Sequence, residues 1–148
     1  YNNFKNVKCV IHTHSKFATI LSQLKIDIEC CGTTHADYFD GTIPVVYDLK
    51  DSEIIEDYEK NIGKSVIEYF LKNNIDPRRI NAALLPMHGP LIWGENYENT
   101  IESAFVLEKI SEIFYYQYLL NDKFDFNNVL LRKHYDRKHG KKKYYGQN

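Results

Sequence analysis

The spacing of apolar positions changes several times along the chain, and each change marks an element. Val7 to Ile11 is a largely apolar, β-branched run and reads as a buried strand. Ser15 follows as a helix cap, with Phe17, Ile20, Leu21 and Leu24 at helical spacing behind it. Ile26 to Cys30 reads as a short strand broken by Gly32, and Thr33 or Thr34 caps a short helical turn over His35 to Phe39. Gly41 and Pro44 bracket the next apolar piece, Ile43 to Leu49. Asp51-Ser52 opens a long helix to about Leu71, with Ile55, Tyr58, Ile62, Val66 and Phe70 as its apolar stripe and Gly63 as a candidate break. Ala82 to Met87 reads as a strand, and Leu91 to Gly94 as its hairpin partner. Asn96 or Asn99 starts the longest helix, with Ile101, Phe105, Ile110, Phe114 and Tyr118 on its core face. Leu119 to Phe126 is a connection, Asn128 to His139 a final helix, and Lys141 to Asn148 a tail. Strands alternating with helices predict an α/β or α+β layered domain.

The 148 residues suffice for one domain or a large part of one, and 43% hydrophobic residues provide a sizeable core. A net charge of −1 gives no global field that selects nucleic acid or an anionic membrane. No apolar run approaches the roughly 18 residues of a membrane span. Cys9, Cys30 and Cys31 are an odd set without a Cys-x-x-Cys motif, which fits a reduced, cytoplasmic chain. The chain opens at Tyr1 and its one Met is Met87, so an N-terminal portion is expected upstream.

The chemistry begins where the first strand ends. Side chains of a strand alternate faces, so His12 and His14 point the same way. They are either two surface histidines or two-thirds of a three-histidine zinc site. His88 ends a later strand just before Gly89-Pro90, so all three imidazoles can converge and leave a fourth position open. The run Arg132 to Lys143 holds seven Lys or Arg against one Asp. In a neutral chain it reads as a solvated helix end that helps to attract a small anion, not as a nucleic-acid patch.

Val10-Ile-His-Thr-His-Ser15, Thr33-Thr-His-Ala-Asp-Tyr-Phe39, Gly41-Thr-Ile-Pro44, His88-Gly-Pro90 with Trp93-Gly94, Lys133-His-Tyr135, Arg137-Lys-His-Gly140 and Tyr144-Tyr-Gly-Gln147 occur in this order. The set resembles the L-ribulose-5-phosphate 4-epimerases of the class II aldolase-like superfamily, from the first residues to the last. The resemblance implies a three-layer α/β/α sandwich with a mostly antiparallel central sheet, incomplete at the N-terminus over residues 1–148, and a homotetramer with active sites between subunits. It implies His12, His14 and His88 as ligands of Zn²⁺ or another divalent metal. Asp37 falls at the position of one catalytic acid/base, and Tyr145 at that of the other, contributed by a neighbouring subunit. His134 and Arg137 match residues near that intersubunit site, whereas His35 and His139 read as non-catalytic. The sugar-phosphate loops are expected upstream of Tyr1, so residues 1–148 alone are expected to be inactive.

The reaction implied explains the residue types. The C4 carbinol of L-ribulose 5-phosphate has no acidic C–H, so inversion requires breaking and re-forming the C3–C4 bond. A divalent metal acts as Lewis acid for the charge left behind. Two acid/bases on opposite faces, Asp37 and Tyr145, take and return the C4 hydroxyl proton. A tyrosine with the usual pKa near 10 needs positive charge nearby to serve as a base. Two other readings stand beside this one: a class II sugar-phosphate aldolase of the fuculose-phosphate type, which releases its aldehyde, and a non-catalytic metal-binding oligomerisation module.

Overall fold

The computed structural model describes residues 1–120, 126–141 and 143–144. Among them, the elements run β1 (Cys9–His12), α1 (Lys16–Leu24), α2 (Thr33–Ala36), α3 (Asp51–Lys72), β2 (Ala82–Leu85), β3 (Gly89–Gly94), α4 (Tyr97–Leu120) and α5 (Asn128–His139). The three strands form one antiparallel sheet in the order β1-β3-β2. Val10 pairs with Trp93 and His12 with Leu91, while Leu85 pairs with Gly89 across the hairpin.

The strand expected at Ile26–Cys30 and the apolar piece Ile43–Leu49 carry only single bridges, Ile28 with Ile43 and Val45 with Leu84. Pro44 has no N–H to give to a ladder. The Val45 N–H is taken by the Asp27 carboxylate at 2.7 Å. These segments still follow the sheet, because Leu84 N–H donates to the Pro44 carbonyl and Val46 N–H to the Leu84 carbonyl.

Neighbouring residues of a strand face opposite sides, and Ile92 and Trp93 are both buried, so both faces of the sheet are covered. Phe70 of α3 packs edge-on against Trp93, with ring centroids 5.2 Å apart, and Phe4 fills the space beside them. α1 packs on α4 and on β3. Phe39, Ile43, Leu84, Ile92 and Leu107 lie at the centre of the core.

Two helices differ from their expected faces. α3 breaks at Asp57 (φ −156°, ψ 72°) and not at Gly63, which leaves Ile55 exposed while Val66 and Phe70 are buried. α4 buries Thr100, Ser103, Leu107, Ile110, Ser111 and Phe114, and turns Ile101, Phe105 and Tyr118 outward. Small hydroxyl residues are on its inner face because their hydroxyls bond back to the helix, Ser111 to the Leu107 carbonyl at 2.6 Å and Thr100 to the Asn96 carbonyl at 2.5 Å. That lets α4 approach its neighbours closely. No helix of the described residues is long and apolar enough to cross a membrane.

Candidate metal centre and acid/base cluster

β1 carries His12 to the end of the sheet, and the backbone runs on two residues to His14. The hairpin between β2 and β3 brings His88 to the same place. Its tight turn puts Met87 in the left-handed region (φ 59°) and closes with His88 N–H on the Leu85 carbonyl at 3.0 Å. A Cβ on Gly89 would stand 2.6 Å from the Thr13 carbonyl oxygen, so only glycine lets the hairpin come this close.

The three rings meet through their Nε2 atoms. His12 Nε2 lies 3.1 Å from that of His14 and 3.2 Å from that of His88. Two nitrogens each bound at about 2.0–2.1 Å to one tetrahedral ion lie roughly 3.3 Å apart, so the spacing fits a single zinc-sized cation. The protonation pattern fits as well. His12 Nδ1 donates to the Pro90 carbonyl at 2.9 Å, which leaves a lone pair on its Nε2. Partial burial, with His12 and His14 close by, pushes the His88 imidazole below its ordinary pKa and favours the neutral, ligating form. Among the described residues, this trio is the group of donors that could hold a metal ion.

The helix behind His14 is anchored from outside. Ser15 makes no side-chain cap; the Glu108 carboxylate of α4 instead takes Phe17 N–H at 2.9 Å and Ala18 N–H at 3.1 Å. A cavity of about 470 Å³ opens beside His88, walled by Val46, Leu49, Ile54, Tyr58, Ile62 and Met87.

Asp37 sits in a second cluster. It ends α2, and α5 lays His134 and Arg137 against it from one turn of helix. Arg137 Nη2 lies 2.9 Å from Oδ2, and His134 Nδ1 lies 3.1 Å from Oδ1. His139 Nε2 donates to the Asp37 backbone carbonyl at 2.9 Å, with its ring stacked on Tyr135. His35, two residues earlier, is buried and bonds the Gly41 carbonyl at 2.8 Å, so it holds the 32–41 segment in shape. Burial pushes its imidazole down to about 4. Tyr145 lies outside the described residues.

The two clusters stand at opposite ends of β3. The trio surrounds its start at Gly89. Tyr38 and His139, which flank and hold Asp37, line a cavity of about 350 Å³ together with Gly94, the last residue of the same strand. Five residue steps of extended strand span about 17 Å.

Two residues that support the three histidines escape a reading of the sequence pattern. Tyr58 reads as part of an apolar stripe, but its hydroxyl lies 3.1 Å from His88 Nδ1. Glu108 is an acid on the half-buried side of a helix next to Leu107, and that placement is the available signal for a helix-start partner.

Residues 1–115 match the family described as Class II Aldolase and Adducin N-terminal domain. The chain is 40% identical over 149 residues to the Mycoplasma pneumoniae protein named Probable L-ribulose-5-phosphate 4-epimerase UlaF, covering 99% of this chain and 62% of that one. Among solved structures it is similar to an L-fuculose 1-phosphate aldolase, with a TM-score of 0.70 and 17% identity over 93% of this chain and 58% of the other. It is also similar to Escherichia coli YgbL, with a TM-score of 0.64 and 20% identity over 91% and 60%. The chain thus spans about three-fifths of the length of these relatives.

Proposed function

The chain belongs to the Class II Aldolase and Adducin N-terminal domain family, and from that premise we propose that it acts as a metal-dependent sugar-phosphate epimerase interconverting L-ribulose 5-phosphate and D-xylulose 5-phosphate. The observation that carries this reading is the convergence of His12, His14 and His88 through three Nε2 atoms. The 40% identity to a relative named as an epimerase of this substrate supports the choice of substrate.

His12, His14 and His88 would hold Zn²⁺ or another divalent ion. The ion supplies Lewis-acid stabilisation of the negative charge left on the three-carbon fragment when C3–C4 breaks. Asp37 and Tyr145 do the proton work: one takes the C4 hydroxyl proton as the bond breaks, and the other returns a proton after the aldehyde has turned and been attacked on its opposite face. His134 and Arg137 hold the Asp37 carboxylate from one direction and leave its remaining lone pairs for the substrate.

The separation of Asp37 from the trio within one chain supports a working site built between copies, with the metal of one subunit facing Asp37 and Tyr145 of another. The exposed Ile101, Phe105, Ile113, Tyr116 and Leu119 on α4 supply apolar surface for such an assembly, for which a homotetramer is proposed. A cytoplasmic location is proposed with it, in keeping with the free thiols of Cys9, Cys30 and Cys31.

The test is product analysis. The complete gene product, loaded with Zn²⁺, is given L-ribulose 5-phosphate, and D-xylulose 5-phosphate is expected to form without release of a free aldehyde. Aldehyde release in place of epimer would assign the aldolase reaction. Metal binding with no turnover of either kind would assign the non-catalytic module.

A further inference from the structure

We infer that Tyr58 is a positioning residue of the metal centre, fixing the His88 ring and its tautomer from a bent helix. The inference rests on the reading of His12, His14 and His88 as metal ligands.

Three observations carry it. First, the Tyr58 hydroxyl lies 3.1 Å from His88 Nδ1, and the two rings are stacked at 26° with centroids 6.2 Å apart. A metal on Nε2 requires the His88 proton on Nδ1, and that N–H then needs an acceptor; the phenol oxygen is the one in place. His12 meets the same requirement through the Pro90 carbonyl, so two of the three ligands have a fixed outer partner.

Second, Tyr58 directly follows the break in α3 at Asp57, which gives it a course different from the first turns of that helix. Third, the break is tied in place. The Asn61 side-chain amide donates to the Glu53 carbonyl at 2.8 Å, and Asn61 is only 7% exposed. Eight residues of straight helix rise about 12 Å, beyond the reach of an asparagine side chain, so this bond exists only because the helix is bent. Lys64 Nζ holds the other end of the amide at 3.1 Å. Asn61, the bend and Tyr58 thus form one mechanical unit that ends on His88.

The experiment measures Zn²⁺ affinity of the purified protein by competition with a chromophoric chelator, with the visible spectrum of the Co²⁺-substituted form as a second readout. Tyr58→Phe keeps the ring and removes the oxygen. It is expected to weaken metal binding about 10- to 100-fold, the usual effect of losing an outer partner of a ligating histidine, and to alter the Co²⁺ spectrum while metal-free unfolding stays near wild type. Asn61→Ala should weaken binding in the same direction, and the double variant should fall short of the sum of the two effects, because both act through one contact. Wild-type affinity and an unchanged spectrum in Tyr58→Phe would overturn the role of Tyr58 alone. A wild-type protein that binds no metal would overturn the metal centre and this role with it.

Discussion

Arg137 holds both oxygens of Asp37: Nη2 lies 2.9 Å from Oδ2 and 3.2 Å from Oδ1, and Nε lies 3.3 Å from Oδ1. Both side chains are mostly shielded, at 22% and 15% exposure, so solvent does little to loosen the pair. A two-point grip of this kind fixes the plane of the carboxylate as well as its position.

Asp37→Asn is therefore expected to lower epimerisation by about two powers of ten or more, as loss of a general acid/base does. Metal content should not change, because Asp37 is not among the proposed ligands His12, His14 and His88. Arg137→Lys should give a smaller loss, since an ammonium supplies charge without the fork. Turnover and metal content measured on the same preparations check both statements. Loss of metal from Asp37→Asn would contradict a ligand set made of the three histidines alone.

Gly89 and Gly63 make a contrasting pair. An added Cβ at Gly89 meets the Thr13 carbonyl at 2.6 Å, whereas at Gly63 it meets nothing within 4 Å. Gly89→Ala should push β3 away from the His12–His14 segment, cost roughly 1–3 kcal/mol as overpacking does, and lower metal content. Gly63→Ala, inside α3, should stabilise by about 0.5–1 kcal/mol through helix propensity alone. Denaturant midpoints with and without Zn²⁺ distinguish the two effects.

The convergence of His12, His14 and His88 was legible because strand periodicity and the His-Gly-Pro turn are local signals. His12 and His14 share a face by geometry alone, and His88 is delivered by a hairpin whose two arms read clearly as apolar runs. α5 was legible to its end residues for a similar reason, with Asn127 capping its first turn through Leu130 N–H. The inner face of α4 was not. Its buried positions include Thr100, Ser103 and Ser111, and the Thr100 and Ser111 hydroxyls are satisfied by carbonyls one turn back, while Phe105 and Ile101 face outward. A reading that equates apolar with inside rotates such a helix. The bend at Asp57 was equally hidden, because what stabilises it is a side-chain bond from Asn61 across eight residues and not a glycine or proline.

Glu108 gives a prediction about α1. Its carboxylate does the capping that Ser15 does not, on Phe17 and Ala18 immediately behind His14. Glu108→Ala should cost about 1–2 kcal/mol, the range for losing a helix cap, and Glu108→Gln should recover part of that with one neutral acceptor. Ser15→Ala should change stability by no more than a few tenths of a kcal/mol. Urea unfolding of the three variants checks the assignment, and a larger loss in Ser15→Ala than in Glu108→Ala would reverse it.

His35 makes stability depend on pH in a defined window. In the unfolded chain its imidazole titrates near 6.5; in the fold, burial holds it down to about 4, and the ring N–H spent on the Gly41 carbonyl only partly offsets that. Between these values the unfolded state binds a proton that the folded state refuses, so stability rises with pH. The contribution is fully present above about pH 6.5, is lost progressively as pH falls toward 4, and does not change further below that. A gap from 6.5 to about 4 corresponds to roughly 3 kcal/mol at the acid end. His35→Gln keeps an N–H for Gly41 but does not titrate. Relative to wild type, its stability is expected to shift in its favour as the pH is lowered from 7 to 4.5. Urea unfolding of both proteins at half-unit pH intervals isolates the difference, because His88 and the carboxylates contribute equally to each. Parallel stability curves for the two proteins from pH 7 to 4.5 would mean that His35 is not held neutral by its burial.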